Sequence, residues 1–329
     1  SIPFRRKPLL EALEPRVLMS ADVVQLIQAG SEVRGSVSAA GETDRYGFEL
    51  TDAKRLYLDA LTDSAVNWTL TGPTGVIVDQ RSLRSTDAQD RPDNPVIALD
   101  AGNYVLSVDG TGDVVSDYGF RLIDLGQVGT LTPGVAVTGQ LDPATETDAY
   151  RFEVQAGERF FFDMKSASGS NAQWRLVDPF GDQLFTNNIT TDVDVVTLAN
   201  PGIYTLLVEG RRTQTTPIAY EFNVQKVVDD VAALTFGAVN AGAIAYAGQQ
   251  DHYTFSVAQR SRLVFDALVA SGLNWSLSGP NGSVVTPRAF TGSDANHIGG
   301  TNPVLDLVAG SYRLTIDAAG DATGSYAFR

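Results

Sequence analysis

Three stretches of this chain repeat one strand-like pattern at a fixed spacing, and this constrains the fold more than any other feature. They are ETDRYGFEL at 42–50, ETDAYRFEV at 146–154 and QQDHYTFSV at 249–257. The stretches align without gaps, and their aspartates are separated by 104 and 103 residues. A period of about 100 residues exceeds the roughly 20–50 residues of solenoid repeats and is long enough for a domain with its own core.

Three further landmarks follow in the same order in each repeat. The first set is NWTLTGPTG at 67, QWRLVDPFG at 173 and NWSLSGPNG at 274. The second set is LDAGNYVLSVDG at 99, LANPGIYTLLVEG at 198 and LVAGSYRLTIDA at 307. The third set is DYGFRL at 117, AYEFNV at 219 and SYAFR at 325. Four landmarks in one order indicate that a whole domain is triplicated.

Within each landmark, apolar and polar residues alternate as they do in a half-buried β-strand. In the first landmark, Tyr46, Phe48 and Leu50 fall on one face of the strand. Pro and Gly in GPTG (72–75) and GPNG (279–282) supply the fixed and the permissive backbone angles of tight turns. We count about eight short strands per repeat, which predicts a sandwich or jelly roll.

The predicted fold is therefore all-β, with three tandem antiparallel, jelly-roll-like β-sandwich domains behind a short N-terminal helical segment. The predicted segments are 1–22 (N-terminal segment), 23–126 (repeat 1), 127–228 (repeat 2) and 229–329 (repeat 3). No long Pro-rich or Ser-rich stretch separates the repeats, so we expect neighbours to lie close together and share an interface. Arg329 aligns with Arg121, so we expect repeat 3 to be truncated in its last strand and the chain to belong to a longer one.

Composition narrows the classes of partner. The formal net charge of −15 argues against nucleic acid or an anionic membrane as the main partner and favours solubility or cation binding. The chain has no cysteine, which excludes disulfides, zinc–thiolate clusters and thiol nucleophiles. No apolar run is long enough to predict a membrane span or a secretory signal peptide.

The sequence predicts no enzyme, and we assign no catalytic or cofactor-binding residue. A base for a serine nucleophile would have to be His252 or His297, and neither histidine recurs between the repeats. No G-x-S-x-G, H-E-x-x-H or P-loop pattern is present. We therefore interpret both histidines as solvated surface residues.

The three tryptophans have two interpretations. Each tryptophan shares its strand parity with a leucine two residues later: the tryptophans are Trp68, Trp174 and Trp275. This pattern favours one buried indole in the core of each repeat. The alternative is that exposed aromatic rings stack on carbohydrate, which would make the repeats ligand-binding modules.

Two acidic loops suggest that the repeats bind calcium, and the sequence suggests no other cofactor. VDGTGD contains Asp109 and Asp113, and IDAAGD contains Asp317 and Asp321, each between the last two predicted strands. Calcium takes several oxygen ligands from loops of this kind, so these four residues form a hypothetical pair of calcium sites, helped by Asp44 or Asp251. Repeat 2 departs from the pattern with VEGRRTQT. The alternative is a pair of ordinary hairpins with solvated carboxylates.

The repeats resemble the bacterial pre-peptidase C-terminal domain family. The resemblance rests on the ETDRYGFEL strand, the TLTGPTG turn and the LDAGNYVLSVDG strand, and it covers roughly residues 32–329. It implies non-catalytic β-sandwich appendages of secreted proteins, some of which bind calcium or matrix polymers. The departure of repeat 2 at its acidic loop argues against one metal site shared by all three.

The N-terminal segment has its own resemblance. LEALEPRVLMSAD is similar to the LEPR-type motif of very large bacterial surface or secreted proteins, which implies a role in sorting. The matching residues are Leu13, Glu14, Pro15, Arg16, Leu18, Ser20 and Ala21. The alternative is an amphipathic helix that caps repeat 1, with Leu9, Leu10, Leu13 and Val17 on one face and Pro15 as its kink or end.

Together these observations predict a non-catalytic extracellular repeat region, an adhesin-like stalk or surface array within a larger bacterial protein. Its expected location is extracellular or on the cell surface. Its expected partners are other domains of that protein, further copies of the chain through edge strands, or surface glycans. The alternatives are a carbohydrate-binding or matrix-binding module with loop calcium, and the accessory domains of a secreted hydrolase.

Overall fold

The computed structural model describes residues 24–87, 94–269, 272–293, 303–318 and 320–329. The predicted helix and sorting motif in residues 1–22, and His297, lie outside the described residues. The described chain folds into three tandem β-sandwiches. Two short 3-10 turns, Leu83–Ser85 and Phe290–Gly292, are the helical elements of the described part.

Repeat 1 sets the arrangement that the other repeats follow. Its strands are β1 (Val24–Leu26), β2 (Glu32–Val37), β3 (Thr43–Leu50), β4 (Lys54–Ala60), β5 (Val66–Gly72), β6 (Gly75–Ser82), β7 (Val96–Leu99), β8 (Gly102–Gly110) and β9 (Ser116–Asp124). One sheet has the order β1-β3-β8-β5-β6 and the other has the order β2-β9-β4-β7. The sequence predicts about eight strands per repeat and the described residues of repeat 1 form nine, of which β1 is three residues long and pairs parallel to β3 in an otherwise antiparallel sheet.

Repeat 2 repeats this topology strand for strand. Its strands are β10 (Gly129–Thr130), β11 (Val137–Leu141), β12 (Thr147–Val154), β13 (Glu158–Ala167), β14 (Ala172–Val177), β15 (Gln183–Asn188), β16 (Val193–Leu198), β17 (Gly202–Gly210) and β18 (Ile218–Val227). The sheets have the orders β10-β12-β17-β14-β15 and β11-β18-β13-β16. The short strand β10 is again parallel to its neighbour β12.

Repeat 3 has the same first sheet and an interrupted second layer. Its strands are β19 (Asp230–Ala233), β20 (Asn240–Ile244), β21 (Asp251–Val257), β22 (Ser261–Val264), β23 (Leu273–Gly279), β24 (Gly282–Ala289), β25 (Val304–Leu307), β26 (Gly310–Ala318) and β27 (Gly324–Phe328). The first sheet has the order β19-β21-β26-β23-β24, and the second layer consists of the pairs β20-β27 and β22-β25. Residues 266–268, which follow β22, make backbone hydrogen bonds to the end of β27 and connect the two pairs at that point.

Each sandwich is held together by its own apolar core. The three core clusters lie within residues 33–122, 131–224 and 244–328. Trp68, Trp174 and Trp275 are at most 1% exposed, so the prediction of one core indole per repeat is confirmed. The predicted tight turns are also present, since Gly75 and Gly282 have φ of +111° and +97°, angles that glycine adopts without strain.

The repeated aspartate has a structural role between the two sheets. In repeat 1, the Tyr118 hydroxyl of β9 donates to Asp44 Oδ2 of β3 at 2.5 Å and lies 2.6 Å from the Tyr46 hydroxyl. The same trio recurs in repeat 2 as Asp148, Tyr150 and Tyr220, and in repeat 3 as Asp251, Tyr253 and Tyr326. A Cβ at Gly35 would overlap the Tyr118 hydroxyl, so the trio requires glycine in the facing strand. The ETDxY landmark therefore encodes a cross-sheet hydrogen bond.

Candidate functional site

The first predicted calcium loop places its two carboxylates in different surroundings. Asp109 is the penultimate residue of β8 and accepts a hydrogen bond from Gln80 Nε2 at 3.4 Å. Asp113 is exposed in the turn that follows. Asp44 and Asp251, proposed as helpers, instead accept hydrogen bonds from tyrosine hydroxyls.

The second predicted loop is divided between two sets of partners. Asp317 Oδ2 accepts a hydrogen bond from Gln250 Nε2 at 2.9 Å, and its Oδ1 accepts one from the Ala318 amide at 2.8 Å. Asp321 meets two carboxylates of repeat 2, those of Asp163 and Asp192, and one ligand atom from each residue lies within 4.8 Å of the others. The structure therefore groups Asp321 with residues from another repeat.

The interpretation of His252 as a solvated surface residue is wrong. Its side chain is 9% exposed, its Nδ1 lies 3.0 Å from Thr315 Oγ1, and its Nε2 lies 3.4 Å from Asp229 Oδ2. His252 is covered by Thr315 of the neighbouring strand and by Asp229 at the start of repeat 3, beside the contact with repeat 2, and the alternation of the His252 strand alone does not reveal this. These findings direct attention to the contacts between repeats.

The contact between repeats 1 and 2, which we call the first junction, has an apolar centre. Tyr57, Ile123 and Leu125 of repeat 1 pack with Val177 and Leu207 of repeat 2, and all five are buried. Strand β4 is consequently buried on both faces from Leu56 to Ala60. The outer face of its sheet is thus part of an interface.

A buried charge cluster lies beside this apolar centre. The Glu209 carboxylate accepts hydrogen bonds from the Tyr57 hydroxyl at 2.8 Å, from Gln173 Nε2 at 3.1 Å and from Arg175 Nε at 3.1 Å. The side chains of Arg175 and Glu209 are both 0% exposed. Because a buried charge is costly without a partner, this cluster requires repeat 1 to stay in place over repeat 2.

A second ion pair, formed within repeat 1, contacts the backbone of repeat 2 at the first junction. Arg121 Nη2 donates to Asp59 Oδ2 and to the Thr147 carbonyl, both at 2.8 Å, and the Thr147 amide donates to Asp59 Oδ2 at 3.2 Å. Asp59 is 0% exposed and its Oδ1 has no hydrogen-bond partner among the described residues. Burial raises the pKa of Asp59 to about 7, against the opposing effect of Arg121.

We expect the free energy of unfolding to fall as the pH rises from 5 to 8. A carboxyl group whose pKa is raised in the folded state binds its proton more tightly there than in the unfolded state. Its contribution to stability is therefore complete at a pH below the unfolded pKa, and it is lost as the pH rises through the folded pKa. For Asp59 this window runs from about 4 to about 7, and the part of the loss that falls between pH 5 and 8 is on the order of 3 kcal/mol. Burial also raises the pKa of Asp148 and Asp251, which adds in the same direction.

Urea denaturation at both pH values, in the presence of a chelator, measures this dependence. The matched control is Asp59→Asn, which removes this titrating group while keeping its shape and should reduce the slope, leaving the smaller contributions of Asp148 and Asp251. Equal or greater stability at pH 8 in the unsubstituted chain would contradict the prediction.

The contact between repeats 2 and 3, which we call the second junction, is smaller and more acidic. Phe161 and Val227 of repeat 2 pack with Ala247 of repeat 3. Arg159 and His252 approach the same carboxylate, that of Asp229. The second junction thus has an apolar contact at the position equivalent to the first, with different polar partners.

The acidic cluster of Asp163, Asp192 and Asp321 lies at the second junction. Lys165 pairs with Asp163 Oδ2, and the Met164 amide donates to Asp192 Oδ1 at 2.8 Å. The pKa of Asp321 is raised, first by desolvation and then by the negative charges of Asp163 and Asp192. Three carboxylates therefore share one lysine.

Repeat 3 also contains an apolar cavity of 720 Å³. It opens between the layers where β22 and β27 do not pair, and its lining includes Leu234, Phe236, Phe255, Leu263 and Leu305. The lining is chiefly apolar, so the cavity follows from the interrupted second layer of this repeat.

The junction residues carried a sequence signal that the landmarks did not include. The strands KRLYLDA at 54, ERFFFDMK at 158 and SRLVFDAL at 261 align in all three repeats, with an arginine four residues before an aspartate. Each of these segments contains consecutive apolar residues, whereas a strand with one solvated face alternates apolar and polar residues. In repeats 1 and 2 this signal corresponds to a strand with both faces covered, whereas in repeat 3 β22 alternates between half-buried and exposed residues.

Comparison with known proteins shows no matching family model and no matching curated protein. Three solved structures resemble the chain weakly. A CUB-EGF-CUB fragment of rat MASP-1 is 7% identical, covering 60% of this chain and 99% of its own, with a TM-score of 0.22. An archaeal virus turret protein with a triple jelly roll is 9% identical, covering 91% of this chain and 88% of its own, with a TM-score of 0.17. A tail fibre protein of an Escherichia coli phage is 9% identical, covering 92% of this chain and 42% of its own, with a TM-score of 0.20.

At these TM-scores the similarities support no inference about function. Within the described residues, no helix is long and apolar enough to cross a bilayer.

Proposed function

We propose that this chain is a non-catalytic structural segment of a larger extracellular bacterial protein. In this role its β-sandwiches are coupled one to the next as a stalk or surface array that positions other domains. The resemblance of the repeats to pre-peptidase C-terminal domains and of residues 1–22 to a LEPR-type sorting motif supports the extracellular location. The low proportion of basic residues, 24 Lys and Arg against 39 Asp and Glu, suits a solvated spacer.

The observation that supports this proposal most is the burial of charge at the first junction. Arg175 and Glu209 have no solvent exposure, and the Tyr57 hydroxyl that completes their cluster comes from repeat 1. A flexible linker between independent domains would expose this ion pair each time the domains separated. A permanent junction is the arrangement in which such a pair is tolerated.

Pulsed electron spin resonance tests whether the first junction is rigid. The chain has no cysteine, so spin labels can be attached at two introduced cysteines, Asp79→Cys on β6 and Thr186→Cys on β15, both exposed strand positions. We expect a single distance distribution as narrow as that of a control pair inside repeat 2, Glu153→Cys with Thr186→Cys. A distribution several-fold broader than the control would rule out a coupled stalk.

A binding experiment tests the competing function. Saturable binding of the chain to a polysaccharide, lost on Phe180→Ala without loss of folding, would assign a ligand-binding role instead. Phe180 is the appropriate probe because its ring is 71% exposed, whereas the three indoles are buried. We expect no saturable binding.

A further inference from the structure

One aspartate recurs at the same aligned position in every repeat, as Asp59 in β4, Asp163 in β13 and Asp266 just after β22. In repeat 1 its carboxylate is paired with Arg121, at 2.8 Å. In repeat 3 it is paired with Arg329, also at 2.8 Å. The two arginines occupy equivalent positions, each directly after the phenylalanine of the last landmark. A guanidinium group is therefore the standard counterion of this aspartate.

Repeat 2 lacks that guanidinium group. Asn223 occupies the arginine position, directly opposite Asp163 in the pairing of β13 with β18. Asp163 is 1% exposed, and its Oδ1 is buried without a hydrogen-bond partner, as is Asn223 Oδ1. Asp59 Oδ1 is also unpaired, but the charge of Asp59 is balanced by Arg121. At Asp163, two neighbouring buried oxygens are left without donors.

Two further carboxylates lie beside Asp163. Asp192, from the turn between β15 and β16, and Asp321, from the turn between β26 and β27, each bring a ligand atom within 4.8 Å of that of Asp163. Oxygens that share one Ca²⁺ ion at about 2.3–2.6 Å lie at most about 5 Å apart. The spacing of the three carboxylates fits a single ion between them.

We propose that the second junction binds a divalent cation, with Ca²⁺ as the best match, between Asp163, Asp192 and Asp321. The cation takes the place of the arginine that neutralises the equivalent aspartate in repeats 1 and 3. Carboxylate oxygens with an amide oxygen beside them are hard ligands, which favour Ca²⁺ over softer transition metals. Because two ligands belong to repeat 2 and one to repeat 3, the ion links the two sandwiches.

Lys165 is the competitor for this site. Its ammonium group pairs with Asp163 Oδ2, and its side chain is 42% exposed. The equivalent positions in repeats 1 and 3 are leucines, Leu61 and Leu268. One ammonium group beside three carboxylates leaves two negative charges, which a divalent ion balances, and the exposed lysine can move into solvent when the ion binds.

Calorimetric titration of the chelator-treated full chain with CaCl₂ tests the site. We expect one saturable site per chain with a dissociation constant of about 0.1–1 mM, the range of extracellular calcium modules, and a rise in melting temperature of about 2–6 °C near saturation. Asp321→Asn should weaken binding about tenfold or more, and it is a mild change because Asp321 is exposed. The matched control is Asp113→Asn, at the equivalent loop position in repeat 1, which should bind as the unsubstituted chain does.

Two further variants test whether Lys165 competes with the ion and whether a guanidinium group can replace it. Lys165→Met removes the competitor and should tighten Ca²⁺ binding several-fold, whereas Asn223→Arg restores the guanidinium group and should abolish binding while keeping the fold. The proposal is wrong if the unsubstituted chain shows no saturable heat, if Asp321→Asn binds normally, or if binding consists of many weak sites on the acidic surface. A negative result here leaves the proposed stalk intact, because the rigidity of the first junction is measured without calcium.

Discussion

Replacing Glu209 with alanine is expected to lower the free energy of unfolding by about 3–5 kcal/mol, the usual cost of removing one partner of a buried ion pair. The Arg175 guanidinium group would remain in a site with no solvent exposure after losing its carboxylate. The Tyr57 hydroxyl and Gln173 Nε2 would lose their acceptor at the same time. Urea denaturation followed by far-ultraviolet circular dichroism measures the loss.

Two matched variants test the cause of this effect. Tyr57→Phe removes only the hydroxyl that repeat 1 contributes and should cost about 1 kcal/mol. Adding Arg175→Met to Glu209→Ala removes the unpaired charge and should recover much of the lost stability, since a buried pair replaced by apolar groups is often close to neutral. A loss below about 1 kcal/mol for Glu209→Ala would show that water reaches the cluster and that the first junction opens.

Replacing Trp174 with alanine is expected to cost a further large amount, about 3–5 kcal/mol, the range for deleting a large buried ring. Trp174 is 0% exposed and packs edge-on against Phe162 and Phe185. Two sheets meet around this ring, so its removal leaves a cavity that neither sheet can fill by a small shift. The measurement is again urea denaturation, with Phe180→Ala, an exposed ring in the same repeat, as the control that should change stability by less than about 0.5 kcal/mol.

Substitution by phenylalanine separates packing from hydrogen bonding among the three indoles. Trp68 Nε1 donates to Thr86 Oγ1 at 2.9 Å and Trp275 Nε1 donates to Ser293 Oγ at 2.7 Å, whereas Trp174 Nε1 has no partner among the described residues. Tryptophan-to-phenylalanine changes should therefore cost about 1 kcal/mol more in repeats 1 and 3 than in repeat 2. Equal costs in all three repeats would contradict the assigned hydrogen bonds.

The sandwich of each repeat was predictable because the signals that produce it are local. Alternation of apolar residues predicts strands with one inward face, and Pro with Gly predicts the turns between them. The recurrence at 104 and 103 residues then fixes how many sandwiches form. The predicted count of about eight strands is one below the nine observed, and a strand such as β1, with three exposed residues, shows no alternation from which it could be predicted.

The candidate site was only partly predictable. Asp317 and Asp321 are four residues apart in one loop, and this proximity suggested a shared ion. In the structure, Asp317 hydrogen-bonds to Gln250, while Asp321 lies with Asp163, which is 158 residues earlier in the sequence. Proximity in sequence does not indicate which carboxylates meet when each comes from a different domain.

What the sequence determined by itself is the inside of each repeat, a β-sandwich with one buried indole. The Asp-Tyr-Tyr hydrogen bond between the sheets emerged only from the structure, since the sequence suggested Asp44 and Asp251 as calcium ligands instead. What only the tertiary structure decided is the outside, since the aligned aspartate pairs with Arg121 at Asp59 and joins an acidic junction at Asp163. The physical reason is that strand alternation reports only which side of a sheet is covered by its own domain. The covering of the other side depends on how two separate surfaces fit, and no local pattern contains that information.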